Sequence, residues 1–426
     1  MKYFKQTLVL CTTALAPFAA FADELNSGDT AWMLTSSALV LFMLLPGLSL
    51  FYAGLVRSKN VLSVLMQCFS IACAMSILWF LVGYSLAFSG DGAWIGNLDK
   101  AFLKGVSFDS MSGTIPESVF VVFQMTFIMI TPALFVGGFA ERMNFAPMFV
   151  FSILWSLIVY VPVTHWVWGG GWLAEKGLLD FAGGTVVHVT AGVSALVAAL
   201  VVGNRTGFPE RPMTPHSMAL TVAGAGMLWF GWFGFNGGSA VAANGGAGMA
   251  MLVTHLSAAA GSLAWMAIEW IRFRKPSVLG IVTGMVAGLG TITPASGFVG
   301  PMGGVIIGLC GGTVCYFATQ LIKSIWKIDD SLDVFPVHGV GGALGTILAA
   351  VFVSSSWGGV GYAQGMGLGS QLGVQVLGVV ATGVYAAVVS YVLLKVIAIV
   401  LPLRADAEIE QQGLDVTQHC ETGYNL

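Results

Sequence analysis

The sequence predicts an all-α polytopic membrane protein. We expect eleven transmembrane helices in two inverted five-helix halves plus a final helix, with the amino terminus outside and the carboxyl terminus in the cytoplasm. Three observations support this class. Apolar residues make up 57% of the 426 residues and charged residues only 9%, against about a quarter charged in soluble chains. Apolar runs of membrane-spanning length recur, and basic residues gather in alternate loops.

The composition excludes several classes of protein. A soluble globule would carry far more surface charge. The net charge of −3 provides no basic surface for nucleic acid. The six cysteines give no disulfide framework, because one lies in the leader, four lie in apolar runs and Cys420 lies near the carboxyl terminus. We therefore expect the chain to contact a lipid bilayer and to bind no nucleic acid.

The first 22 residues predict a signal peptide. Lys2 and Lys5 precede an apolar stretch at 8–18, and residues 20–22 form an A-x-A cleavage site. The stretch is short for a membrane span and contains a proline, which favours cleavage over the alternative, an uncleaved extra helix. Cleavage would leave the mature amino terminus, near Asp23, outside the cytoplasm.

Eleven apolar runs follow the leader, each close to the ~20 residues that cross the hydrocarbon core of a bilayer. With approximate ends, they lie at 31–56, 61–89, 117–140, 144–168, 183–203, 217–236, 247–271, 276–292, 301–326, 334–353 and 370–400. An odd number of spans after an outside start places the end of the chain in the cytoplasm. The predicted organisation is a signal peptide at 1–22, one membrane domain at 23–403 and a cytoplasmic tail at 404–426.

The loop charges support this orientation independently. Three basic residues fall on the predicted outer side: Lys100, Lys104 and Lys176. Twelve fall on the predicted inner side: Arg57, Lys59, Arg142, Arg205, Arg211, Arg272, Arg274, Lys275, Lys323, Lys327, Lys395 and Arg404. An excess of Lys and Arg marks the cytoplasmic side of a membrane protein. We expect a multi-pass protein of the cell inner membrane.

Two segments of the chain echo each other. DFAGGTVVHVTAGVSALVAA begins at Asp180, and DVFPVHGVGGALGTILAA begins at Asp333. Each runs from an aspartate to a histidine, with glycine four and alanine eleven residues after the histidine. Two halves of five spans ending in these segments would have opposite orientations, which in transporters places the binding site where the halves meet. The alternative is chance similarity between helices rich in Gly and Ala.

Three histidines lie within apolar spans: His188, His255 and His338. Polar groups at membrane depth are costly, so each is a candidate functional residue. The repeat would bring His188 and His338 face to face, whereas His255 has no such partner; the alternative for each is a hydrogen bond to a neighbouring helix. No Cys, Asp or Glu lies within a helical turn of either paired histidine, and no pattern of nucleophilic catalysis is present. We expect no metal, no cofactor and no enzymatic activity.

Other candidates lie at the outer ends of the spans. Asp180 precedes His188, and it is either the N-cap of the helix that begins at 183–185 or part of a conduction path. Aromatic residues also cluster there: Trp166, Trp168, Trp229, Trp232, Phe235, Phe123 and Phe127. Most membrane tryptophans belong to interfacial belts, but an aromatic cluster with a hydroxyl also binds a small cation.

Four motifs in order, HWVWGGGWL, DFAGGTVVH, GWFGFNGGSA and DDSLDVFPVHG, resemble the ammonium transporter family of Amt, Mep and Rhesus proteins, most of all the bacterial channels of the AmtB type. The resemblance covers nearly the whole mature chain. It implies eleven helices in two inverted halves and a homotrimer with one pore in each subunit.

The resemblance also implies roles for individual residues. An outer ammonium site would consist of Phe127, Trp168 and Ser239, and Phe127 would stack on Phe235 as a gate. The remaining positions are the paired pore histidines His188 and His338, the buried acid Asp180 beside the outer site, and the pore or vestibule residues Trp232, Tyr52 and Thr293. One departure is Pro336, where the family pattern leads us to expect a small residue, and it puts the placement of His338 in question.

The function implied is transport of ammonium, with methylammonium as an analogue. The aromatic site would recruit NH4+, deprotonation would follow, and NH3 would cross an apolar pore lined by the two histidines. Potassium, which has no proton to lose, would be refused. Rival hypotheses are an ammonium sensor that signals through the tail, which is short for a signalling domain, and a neutral-solute or water channel, which would need basic selectivity residues in the pore.

The tail supplies a second expectation. QQGLDVTQHCETGYNL, residues 411–426, resembles the carboxy-terminal segment of bacterial members that are regulated by a PII-type nitrogen-regulatory protein. The implied partner would dock on the cytoplasmic face and plug the pore when nitrogen is plentiful. The alternative is a disordered acidic tail.

Overall fold

The fold is a bundle of helices, seen in a computed structural model that describes residues 24–424. The predicted signal peptide lies outside the described residues. The membrane helices are α1 (Ser27–Leu55), α2 (Ser58–Phe88), α3 (Glu117–Phe139), α4 (Phe145–Glu175), α5 (Gly184–Val202), α6 (Met218–Gly238), α7 (Gly245–Phe273), α8 (Val278–Ile292), α9 (Pro301–Ile325), α10 (Phe335–Phe352) and α11 (Leu368–Val400).

Ten of these helices are long and apolar enough to cross a membrane within the described part of the chain. The exception is α8, which has 15 residues and a length of about 22 Å, against about 30 Å for the hydrocarbon core. Each of the eleven predicted apolar runs therefore contains one helix. The fold class is confirmed as a multi-helix membrane protein, and the eleventh crossing stays a prediction.

The remaining elements are small. A hairpin of two-residue antiparallel strands, β1 (Met111–Ser112) and β2 (Ile115–Pro116), lies in the connection between α2 and α3. Two short helices, α12 (Ala407–Gln412) and α13 (Leu414–His419), follow the last membrane helix.

Small residues allow α5 and α10 to cross at close range. A Cβ on Gly192 would lie 2.2 Å from the backbone nitrogen of Gly339, and a Cβ on Gly342 would lie 2.6 Å from the Cβ of His188. Gly192 and Gly342 are the two glycines that follow the histidines by four residues in the sequence echo. Their reciprocal contacts are those expected of two equivalent helices that face each other, and such small residues let membrane helices pack closely.

Both of these helices begin with π-helical turns, at Gly184–Val189 and at Phe335–Val340. Each turn carries one of the paired histidines, His188 and His338. Single π turns are rare and occur often at functional sites. Both histidines thus lie in π turns at the contact between α5 and α10.

A buried network of charges closes one end of the bundle. Glu141 accepts hydrogen bonds from the backbone N–H and the Nε of Arg57 and lies 3.1 Å from Arg205 Nη1. Asp329 accepts from Arg205 Nε at 2.9 Å and Nη2 at 2.8 Å. Arg142 donates to four backbone carbonyls and to Ser331 Oγ. Buried charges of this kind persist because each has partners.

The tail packs against the same end of the bundle. Glu410 accepts from Arg404 at 2.8 Å and from the backbone N–H of Thr206 at 2.6 Å. Asp415 accepts from the backbone N–H groups of Leu62 at 3.1 Å and Ser63 at 2.7 Å, so that it caps the start of α2. Residues 404–424 of the tail are thus folded against the bundle, which contradicts the alternative of a disordered tail for these residues.

Candidate functional site

An aromatic cavity opens on the end of the bundle opposite to the tail. Its volume is about 330 Å³, and it is lined by Phe88, Phe120, Phe123, Gln124, Phe127, Val167, Trp168, Phe181, Ser239 and Val241. The three residues expected at the outer site, Phe127, Trp168 and Ser239, therefore share one cavity. The rings of Phe127 and Trp168 are 5.7 Å apart and perpendicular, at 90°.

The floor of this outer cavity is a stacked pair of phenylalanines. The ring centroids of Phe127 and Phe235 are 4.3 Å apart with an interplanar angle of 28°. Both side chains are buried. Phe127 lines the outer cavity and Phe235 lines the central one, so the stack lies between them, and its role as a gate stays a prediction.

Asp180 lies beside the outer cavity and caps α5. Its carboxylate accepts from the backbone N–H groups of Gly183, Gly184 and Thr185 at 2.6 to 2.8 Å, and also from the Thr185 hydroxyl. The capping interpretation of Asp180 is confirmed. Its backbone carbonyl accepts from Trp168 Nε1 at 2.8 Å, so the same residue also orients the indole of the outer site.

The two histidines meet below the phenylalanine stack. His188 Nδ1 and His338 Nδ1 are 3.1 Å apart, and the rings are parallel within 17°. Because one Nδ1 must donate and the other accept, the two imidazoles hold complementary tautomers. His188 Nε2 is buried and has no hydrogen-bond partner among the described residues. Pro336 lies in the first turn of α10, where proline fits a helix, and it does not prevent this contact.

The histidines line a narrow central cavity. Its volume is about 10 Å³, and its lining is Met43, Leu48, Phe51, Tyr52, Ile130, Leu134, Val187, His188, Leu228, Trp232, Phe235, Val286 and His338. No Asp, Glu, Lys or Arg is among these lining residues. A volume of this size admits about one water-sized molecule at a time.

The other expected pore residues support this cavity. The indole of Trp232 stacks on His188 with ring centroids 5.6 Å apart, and its Nε1 donates to Thr293 Oγ1 at 2.9 Å. The hydroxyl of Tyr52 donates to the Leu134 carbonyl at 2.9 Å. Tyr52 and Trp232 therefore line the path, whereas Thr293 acts behind it by holding the indole.

A third cavity continues the path to the end that carries the tail. It has a volume of about 100 Å³ and shares Phe51, Tyr52, Val286 and His338 with the central cavity. Lys323 and Asp333 also line it and form an ion pair of 2.9 Å. The inner and central cavities therefore adjoin, and the Phe127–Phe235 stack lies between the central and outer cavities.

One acid was missed by the sequence reasoning. The echo pairs Asp180 with Asp333, but the structural counterpart of Asp180 is Asp330, whose Oδ2 accepts from the backbone N–H of Phe335 at 2.7 Å at the start of α10. Asp330 lies eight residues before His338, as Asp180 lies eight before His188. This equal spacing is the signal that could have found it.

The third membrane histidine lies elsewhere. His255 is on the outward face of α7, where its ring packs on Trp229 with centroids 5.1 Å apart. It is not a neighbour of the paired histidines, in agreement with the absence of a partner in the repeat.

Comparison with known proteins places this architecture in a family. The model of the Ammonium Transporter Family matches residues 31–424. The chain belongs to the ammonium transporter family. It is 46% identical to an ammonium transporter of Bacillus subtilis over 94% of this chain and 99% of that protein. It is 45% identical to an ammonium transporter of Aquifex aeolicus over 97% and 98%.

Solved structures of the family have the same fold. The chain is similar to a sensor Amt protein, with a TM-score of 0.86 at 31% identity over 92% of this chain and 98% of that one. It is also similar to Mep2 of Saccharomyces cerevisiae, with a TM-score of 0.81 at 37% identity over 91% and 92%. As a member of the ammonium transporter family, the chain is not an enzyme.

Proposed function

We propose that this protein carries ammonium across a membrane by recruiting NH4+ in the outer cavity, transferring one proton from NH4+ to water that enters this cavity, and passing the resulting NH3 between His188 and His338. The family membership supports the substrate. The observation that supports the mechanism is the narrow central cavity between two wider cavities. It is lined by two histidines, which can be neutral, and by no Asp, Glu, Lys or Arg.

The outer cavity has the chemistry of a cation site. The faces of Phe127 and Trp168 attract a cation through their ring quadrupoles. The hydroxyl of Ser239 donates its proton to the Phe235 carbonyl at 2.8 Å, which leaves its oxygen lone pairs free to accept from an N–H group. The nearby negative charge of Asp180 favours a positive ligand and holds the indole in place.

The central cavity favours the neutral species. An ion at membrane depth costs at least ~3 kcal/mol on insertion scales, and the central cavity has no carboxylate to offset this cost. Ammonium escapes the penalty by losing a proton, whereas potassium cannot. The histidine pair then offers one ring acceptor and one N–H donor, which ammonia can satisfy in turn.

Several finer features belong to the same proposal. We infer an inner-membrane location, a cleaved signal peptide, eleven crossings, an outside amino terminus and a cytoplasmic tail, supported by the distribution of basic residues between loops. We also infer a homotrimer with one pore in each subunit. Regulation by a PII-type protein is supported by the position of the tail, since Tyr424 bonds to His216 in the segment that contributes Met213 and Pro215 to the inner cavity.

The sensor hypothesis is less well supported. One structural neighbour is described as a sensor Amt protein, but at 31% identity. The relatives at 46% and 45% identity are described as ammonium transporters. The water-channel hypothesis is disfavoured because no basic side chain lines the central constriction.

The test is transport by the purified protein in liposomes. The wild-type chain should take up methylammonium and pass ammonium while rejecting potassium. His188→Ala and His338→Ala should lower the rate of transport or admit potassium, whereas Val388→Ala, an exposed position of α11, should behave as wild type. Normal rates with normal potassium rejection in both histidine variants would remove the role assigned to the pair, and a wild-type chain that carries no ammonium would overturn the function itself.

A further inference from the structure

We propose that Gln124 is an additional ligand of the outer site, where its side-chain carbonyl accepts a hydrogen bond from the N–H groups of the bound cation. This inference rests on the proposed function of the outer cavity. It adds a hydrogen-bond acceptor to a site otherwise described by two aromatic faces and a hydroxyl.

The position of Gln124 points into the site. It lies on α3 one turn before Phe127, so the two side chains project from the same face of the helix. It lines the outer cavity together with Trp168 and Ser239. The side chain is 8% exposed, and its Oε1 is buried without a hydrogen-bond partner in the described structure.

An unpaired amide oxygen in a buried position is unusual and calls for a donor. The donors on the residues around Gln124 are already in use. Trp168 Nε1 donates to the carbonyl of Asp180, and the Ser239 hydroxyl donates to the carbonyl of Phe235. The backbone N–H groups of Gly183 and Gly184 donate to the Asp180 carboxylate.

Two oxygens in the cavity are left free to accept a hydrogen bond. Ser239 Oγ retains its lone pairs, and Gln124 retains its whole carbonyl. The amide turns about its last side-chain bond, so a cation in the cavity selects the orientation with the oxygen inward. The complementary ligand is a small cation that carries several N–H donors, which both of these oxygens can accept.

This arrangement predicts an effect on affinity rather than on the chemistry below the gate. Loss of one hydrogen bond weakens binding by about 2- to 10-fold. Gln124→Leu should raise the half-saturating concentration of ammonium by that factor and leave the maximal rate near that of the wild type. Gln124→Glu retains an oxygen and adds a negative charge, and it should bring the half-saturating concentration to or below the wild-type value.

The chain offers a matched control. Gln67 on α2 is also buried, and its Oε1 also lacks a partner, but it does not line the outer cavity. Gln67→Leu should leave the half-saturating concentration unchanged. This variant separates the effect of a lost ligand from the effect of a leucine in place of any buried glutamine.

The measurement is ammonium-dependent uptake or current across liposomes that contain the full chain, titrated over ammonium concentration, with methylammonium as a second substrate. If Gln124→Leu and Gln124→Glu both transport with the wild-type half-saturating concentration, the inference is overturned while the proposed function stands. If Gln124→Leu does not fold, a half-saturating concentration for Gln124→Glu above that of the wild type overturns it. A wild-type chain without transport overturns the proposed function instead.

Discussion

Asp330 and Asp180 have equivalent positions but unequal surroundings. Asp180 accepts from four successive backbone N–H groups, whereas Asp330 Oδ1 has no hydrogen-bond partner among the described residues. Pro336 contributes to the difference because it supplies no N–H group at the start of α10. Burial, followed by the charge of Asp333, raises the pKa of Asp330 to about 7, although Lys323 acts in the opposite direction. Arg142 is a further charge near this carboxyl group.

This pKa makes stability depend on pH with a defined sign. A carboxyl group that titrates near 7 when folded and near 3.8 when unfolded binds more protons in the folded state between these values. Its contribution is full below pH 3.8 and is lost as the pH rises through 7, by about 1.4 kcal/mol between pH 6 and pH 8. Between pH 6 and pH 8, the unfolding temperature of the wild type should therefore fall by about 1–3 °C more than the unfolding temperature of Asp330→Asn falls.

Thermal unfolding of the detergent-solubilised protein between pH 6 and pH 8 checks this prediction. Asp109→Asn changes an exposed aspartate in the connection between α2 and α3 and should keep the wild-type pH slope. Equal slopes for wild type and Asp330→Asn would show that Asp330 does not titrate in this range.

At the scale of single residues, the sequence predicts the candidate site residues that belong to a local motif. His188 and His338 follow from the echo, and the motif resemblance places Phe127, Trp168 and Ser239 in one cavity. Asp330 is missed because the sequence echo pairs Asp180 with Asp333 instead. The sequence does not reveal Gln124 as a candidate ligand, because the signal is that its Oε1 has no hydrogen-bond donor in the described structure. That absence depends on three-dimensional packing and leaves no motif in the sequence.

At the scale of the elements, hydropathy locates helices but not their polar ends. The hydropathy pattern predicts a first run that starts at 31, whereas α1 begins at Ser27, where Asn26 caps it by accepting hydrogen bonds from the backbone N–H groups of Gly28 and Asp29. Cap residues are polar and therefore fall outside an apolar window. The π turns at Gly184–Val189 and Phe335–Val340 also leave no hydropathy signal, since they change the backbone and not the composition.

The tail is held by a few polar contacts and not by its own helices. α12 and α13 have six residues each, which is too short for stability in isolation. Burial by itself would raise the pKa of Glu410, but hydrogen bonds from Arg404 and Thr206 outweigh it and lower this pKa. The ionised carboxylate thus stabilises the docked tail at neutral pH, and this contribution is lost as the pH falls below the ordinary glutamate range.

Glu410→Ala should release the tail, because Arg404 and Thr206 lose their shared partner. Limited proteolysis should cut residues 404–424 of this variant about tenfold faster than in wild type. Binding of a PII-type protein should weaken both in this variant and in a chain truncated after Arg404. Glu408→Ala, at an exposed position of the same helix, is the matched control. Regulator binding that survives truncation would contradict the proposed role of the tail.

At the scale of the whole molecule, the two halves meet along α5 and α10. The reciprocal approach of Gly192 to Gly339 and of Gly342 to His188 is the packing counterpart of the histidine pair. A side chain at either glycine would separate the helices and with them the two imidazoles. The echo in the sequence therefore reports a shared requirement for close approach, which explains why glycine and histidine recur together at fixed spacing.

The outward face of α6 and α7 carries the argument for assembly. His255 is exposed on this face, within the apolar helix α7, and its ring packs on Trp229. The Nε1 of Trp229 is buried and has no hydrogen-bond partner in the described structure. Polar groups are costly against lipid, so a second copy that covers this face and bonds to the imidazole would relieve the cost. We expect the purified protein to have three times the mass of one mature chain. His255→Leu should lower the fraction of trimer that survives in detergent, because the contact across the interface is lost, whereas Val388→Leu on α11 should not.

Light scattering coupled to size-exclusion chromatography measures both the mass of the assembly and the fraction of trimer. A monomeric wild type, or a His255→Leu trimer that resists dissociation better than wild type, would show that this face meets lipid instead.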